Sequence, residues 1–256
     1  MTTFLHSFQS EWLKKKHSAA AYLTITGGLL IPVIMLLAAF YHSDSLYIEY
    51  TSGKLWRDLY YNSWQYMGIL LLPMGIILVA SLVTQLEYKN NTWKQLHVTP
   101  QSYTVLFFAK LSVVMALLLQ CFVLFTIGIY LCGIIPSLLY TNLPYPREAF
   151  PVWLFAKGTG KFLVACLPIV ALQYVMSLVS KNFLVPIGVG IVLFIVGIIA
   201  ARLQYNYWMP YCYCSLQFLN LPRLPGGLPL EIWAAGYTIL FTVAGYIIYI
   251  TRKDKS

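Results

Sequence analysis

Long apolar runs separated by short polar stretches set the pattern of this chain. Six runs, at residues 19–40, 64–86, 110–132, 161–180, 183–201 and 231–250, each hold about twenty mostly apolar residues, the number a helix needs to cross a hydrocarbon layer of roughly 30 Å. Stretches such as "GILLLPMGIILVASLV" lack the polar and apolar alternation of a membrane barrel strand. The first run exceeds the apolar core of a signal peptide and has no clear small-x-small cleavage site, so it is expected to be retained. The sequence predicts an all-α integral membrane protein: one transmembrane domain over residues 1–256 with six transmembrane helices.

The pieces between the runs differ in kind. Residues 4–13, "FLHSFQSEWL", place Phe4, Leu5, Phe8 and Trp12 on one helical stripe with His6, Gln9 and Ser10 opposite, which predicts an N-terminal interfacial helix carrying Glu11 and anchored by Lys14, Lys15 and Lys16. Residues 41–63 mix both charge signs with tyrosines and predict a solvated cap. Residues 134–152 carry Pro136, Pro144, Pro146 and Pro151, which break any continuous helix and predict a segment that runs along the surface or tucks in as a short turn. Residues 202–230 hold too much Pro and Gly to span, yet too many aromatic residues to float in water. They predict short re-entrant or interfacial helices before span six.

Composition agrees with this class: 59% of the 256 residues are hydrophobic and 10% charged, against about 25% charged in a typical soluble domain. Six spans put both termini on one side. With the termini inside, the inner face holds Lys14, Lys15, Lys16, Lys89, Lys94, Lys110, Lys181, Arg252, Lys253 and Lys255. The outer face holds Lys54, Arg57, Arg147, Lys157, Lys161, Arg202 and Arg223. Counting acids, the balance is +7 inside and +2 outside, which predicts cytoplasmic termini in an inner membrane. Topology and anionic lipid account for the net charge of +9, and nucleic acid is not an expected partner.

Few residues suggest chemistry. Cys121, Cys132 and Cys166 fall inside spans as small apolar groups, and Cys212 and Cys214 have no nearby histidine to complete a metal site. "KGTGK", residues 157–161, resembles the end of a phosphate loop, but Phe155 stands where the first glycine belongs and Phe162 where a hydroxyl would hold magnesium. It is expected to open span four. All four histidines lie outside the spans, and no Asp or Glu lies deep within one. That speaks against intramembrane catalysis and proton relay. No catalytic, cofactor or metal residue is assigned.

The polar stretch "EYKNNTWKQLHVTP", residues 87–100, sits between spans two and three and holds a tryptophan among lysines and amides. Asn90 or Asn91 can cap a short helix, and Pro100 limits it. Trp93 and Leu96 face the same way, while Lys94, Gln95 and His97 cover other faces. Such a helix can rest on lipid or offer Trp93 to a soluble partner. Glu87 can serve as a locally paired interfacial carboxylate or in that contact.

These features resemble the permease subunits of ABC-2 type ATP-binding cassette exporters, notably the small six-helix group of bacitracin-resistance and lantibiotic-immunity permeases. The matching pieces are "EWLKKKHS" before span one and "EYKNNTWKQLHVTPQSYTVLFFAK" from Glu87 to Lys110. The resemblance implies a cytoplasmic coupling helix at Asn91, Thr92, Trp93, Lys94, Gln95, Leu96 and His97, received by a separate ATPase that holds ATP and Mg, with Glu87 fixing the loop. It also implies a second permease copy or a paralogue as partner; membrane lipid is expected as a partner from the charge pattern. A membrane-embedded or lipid-modifying enzyme and a non-transporting scaffold or sensor are the other expectations.

Overall fold

The computed structural model describes residues 2–15, 18–41, 47–48, 50–51, 53–89, 102–140, 143–146, 148–203, 206–219 and 228–251, with backbone alone at 2–3 and 86–89. Helices make up nearly all of this. They are α1 (Thr2–Lys15), α2 (Ala19–Tyr41), α3 (Leu55–Tyr66), a π-helical turn (Met67–Leu71), α4 (Leu72–Lys89), α5 (Tyr103–Leu139), α6 (Val152–Val179), α7 (Leu184–Ala200), 3-10 turns at Asn206–Trp208 and Pro210–Cys212, α8 (Tyr213–Leu219) and α9 (Leu230–Thr251). Among the described residues, five helical spans are long and apolar enough to cross a membrane, and α7, at 17 residues, is a shorter apolar helix. The all-α membrane architecture expected from the apolar runs is therefore present.

The second, third and fourth spans run beyond the apolar runs at the end far from α1. At 1.5 Å per residue, the 37 residues of α5 extend about 55 Å, well past the hydrocarbon layer. Leu55 and Trp56, then Leu59 and Tyr60, then Ser63 and Trp64 recur at helical spacing, and Leu55, Trp56, Ser63 and Trp64 are buried. Residues 55–63 are thus helix, and the solvated cap expected there is corrected: Trp56 is buried and Tyr60 half-buried, while Arg57, Asp58 and Tyr61 keep an exposed face. Pro136, expected to break the chain, lies inside α5. Proline weakens helix bonding to carbonyls in the preceding turn, and the Tyr50 hydroxyl donates to Gly133 O at 2.8 Å.

Pro73 explains the π-helical turn. With no N–H to donate, it interrupts the α ladder, and the Leu72 N–H reaches back five residues to Met67 O. Gly68 in this turn makes room for Phe162, since a Cβ there would strike the ring. Phe162 stacks on Trp64 with centroids 4.0 Å apart. Lipid tails are as apolar as leucine, so packing and close approach hold such a bundle together. Gly28 lies against the Cys121 carbonyl, Gly128 against Pro32, and Gly245 against Val175.

The segment before the last span dips into the protein. Tyr211, Cys212, Tyr213, Cys214 and Leu216 are buried, with the backbone of Tyr211 against Gly197 of α7. The described part of this segment, residues 206–219, packs into the protein as short helical turns. Tyr211 Oη donates to Gln173 Oε1 at 3.0 Å, and Gln173 Nε2 donates to Pro186 O at 2.8 Å and Ser81 Oγ at 3.2 Å. Every polar atom of Gln173 is thereby used, as a polar group at membrane depth requires.

Candidate functional site

Residues 90–101 lie outside the described residues, so Asn91, Thr92, Trp93, Lys94, Gln95, Leu96 and His97 have no structural account; Glu87 is known only as backbone in α4. The two ends of that loop are described. Before it, Gln85 of α4 is buried and its Nε2 donates to Ser180 O, beyond the last turn of α6, at 2.9 Å. After it, Ser102 caps α5, with extended backbone and its side chain accepting from Val105 N. Two residues on, Thr104 Oγ1 and Tyr246 Oη of α9 share a hydrogen bond of 2.7 Å. Tyr174 Oη of α6 donates to Phe107 O at 2.7 Å. Each helix end that frames the loop is thus tied to the later half of the bundle.

Helix α1 packs along the first turns of α5, close to the same loop. Among its described side chains Ser7, Glu11 and Lys15 are buried, one helical turn apart, so a mainly polar stripe meets the protein. Phe4, Phe8 and Trp12 flank it half-buried, and Phe8 stacks on Trp12 at 6.0 Å. Glu11 Oε2 accepts from Lys110 Nζ at 3.0 Å and Oε1 from Lys14 Nζ at 2.6 Å. Glu11 and Lys110 are only 7% and 3% exposed. Burial works against the charge on Glu11, but Lys110 and Lys14 together outweigh it and hold the carboxyl below its ordinary value.

Lys15 is buried without a hydrogen-bond partner among the described residues. Its Nζ lies 2.9 Å from the centroid of the Trp12 ring, a cation–π contact, and burial lowers its pKa to about 8. Lys16 lies outside the described residues. Sequence reasoning placed Glu11 and Lys110 at the membrane face but did not join them. Nor did it find Gln85, Gln173 and Ser177 between spans two and four, although polar residues inside apolar runs were the available signal.

The architecture is that of a polytopic helical membrane protein whose longest polar connection near α1 is framed by two braced helix ends. A family model described as ABC-2 family transporter protein matches residues 7–197, from the buried stripe of α1 through most of α7, and the chain belongs to that family. It is a membrane permease component of an ATP-binding cassette transporter. No curated protein and no solved structure matches the chain.

Proposed function

We propose that this permease forms half of the translocation pathway of an ATP-binding cassette exporter, beside a second copy or a paralogue, and is driven by a separate cytoplasmic ATPase that holds ATP and Mg. The observation that carries this is the bracing of the loop between α4 and α5 in a chain of this family. Gln85 ties one loop end to α6, Thr104 ties the other to α9, and Glu11 ties α1 to α5. A push on residues 91–97 therefore moves several spans together. The proposed cargo is a peptide antibiotic, an amphipathic toxin or a lipid-like molecule, and both termini lie in the cytoplasm.

Orientation is tested with an impermeant thiol reagent on intact cells. Cysteines placed at Ser102 and Ser256 are expected to stay unlabelled while one at Thr51, on the other side of the first span, is labelled. The reverse pattern would turn the loop away from ATP and overturn the proposal.

Trp93 is proposed as the aromatic anchor in a groove of the ATPase. Truncating such an anchor costs about 2 kcal/mol or more, roughly a 30-fold loss of affinity. Trp93→Ala is expected to reduce co-purified ATPase and export at unchanged membrane levels of permease. Tyr88→Ala, ahead of the loop, is expected to do less. Wild-type association and export in Trp93→Ala would remove the anchor.

A further inference from the structure

At the end of the bundle far from α1, a cavity of about 220 Å³ opens between three elements. Lys157 and Lys161 of α6, Tyr60 and Trp64 of α3, and Gln217 and Phe218 of α8 stand in its wall. A single water needs about 10–15 Å³ on this measure, so the space suits a small headgroup. The two lysines sit four apart in sequence and so on one helix face. Neither has a hydrogen-bonding or ion-pairing partner among the described residues. Trp64 is fully buried, and its indole N–H has no acceptor among the described residues. The polar equipment of the wall is thus rich in donors, and the remainder is mainly aromatic, with Leu154 and Gly158 beside it.

Depth fits the same ligand. Measured back from Val179 at 1.5 Å per residue, Lys161 lies about 27 Å and Lys157 about 33 Å along α6, where a layer of roughly 30 Å gives way to headgroups. Lysines on a lipid-facing surface at this level would be ordinary interfacial anchors. Here they line one side of a partly open space bordered by α8, Lys161 half-buried and Lys157 exposed at its mouth, with Trp64 stacked on Phe162 behind it. Glycine at 158 lets the Tyr60 side chain pack closely on α6 at the cavity wall, because a Cβ there would run into the Tyr60 hydroxyl.

We infer that this cavity binds the anionic phosphate headgroup of a membrane amphiphile, with Lys157 and Lys161 on the charge and the aromatic side chains of Tyr60 and Phe218 beside the apolar portion. Basic pockets between membrane helices take lipid headgroups by the same chemistry. The site goes beyond the transport proposal and needs neither ATPase nor nucleotide, so it can fail while that proposal stands.

The test is native mass spectrometry of the purified permease in neutral detergent, titrated with phosphatidylglycerol or phosphatidylcholine. The wild type is expected to retain one phosphatidylglycerol that phosphatidylcholine does not replace. In Lys157→Gln/Lys161→Gln its affinity is expected to fall roughly 10- to 30-fold. Lys181→Gln, exposed at the other end of the bundle, is expected to keep wild-type affinity. Circular dichroism at unchanged helicity shows that the double variant folds. Equal retention of both lipids, an unaffected double variant, or displacement of the lipid by inorganic phosphate alone would overturn the site.

Discussion

Trp64→Ala is expected to destabilise the permease by about 3 kcal/mol, the lower end of the range for truncating a buried tryptophan. The side chain is 0% exposed and lies where three spans meet. It stacks on Phe162 of α6 and makes an edge contact with Phe125 of α5 at 5.0 Å. Aromatic pairs add about 0.5–1.5 kcal/mol each beyond area. The lower end applies because packing, not escape from water, drives helix association in lipid. Trp64→Phe retains part of the ring contact and is expected to lose less. Unfolding of both variants in detergent, followed by circular dichroism, checks this, and a Trp64→Ala variant as stable as wild type would show the aromatic column to be dispensable.

Glu11→Ala is expected to loosen α1 from the bundle at a cost of about 3 kcal/mol, because removing one partner of a buried ion pair leaves the other charge poorly compensated. Lys110 lies two helical turns into α5 and is 3% exposed, so water cannot readily replace the carboxylate. Glu11→Ala/Lys110→Met should recover much of the loss, since apolar groups of similar volume can replace a buried pair. Hydrogen exchange in α1 is the readout. Unchanged protection in Glu11→Ala, or no recovery in the double variant, would show that the pair does not hold the helix.

The same readout has a defined pH dependence. Glu11 has a lowered pKa in the docked state, so its contribution is complete above the ordinary carboxyl value of 4.5 and is lost as pH falls from there through the lowered value. Lys15 works in the other direction. Its pKa is about 8 when docked and 10.5 when free, so docking strengthens as pH rises between those values and is otherwise level. Protection of α1 is expected to be flat near neutrality, to fall in acid and to rise above pH of about 8. Lys15→Met should abolish only the alkaline rise.

The spans were legible because an apolar run such as residues 110–132 has no stable alternative to a helix in lipid. Their far ends were not. "LWRDLYYNSWQY" reads as a polar loop if charge and tyrosine are counted, and as a helix only if the recurrence of Leu55, Leu59 and Ser63, with Trp56, Tyr60 and Trp64 beside them, is followed at helical spacing. Pro136 looked like a helix stop because local rules omit the remote Tyr50 hydroxyl that takes a nearby carbonyl. Glu11 and Lys110 were each read as charges at the membrane face, and nothing local could pair residues 99 positions apart. The loop at 90–101 was legible as chemistry, through Trp93 among polar neighbours, and its role rests on that chemistry and on the braced ends around it.

The central claim is that this permease works through a separate ATPase, and affinity purification of the wild-type chain from its native membrane in mild detergent tests it most directly. An ATPase with an intact phosphate loop is expected to co-purify, in an amount comparable to the permease and reduced by Trp93→Ala. Permease recovered folded and without any such ATPase under every mild condition would contradict the account.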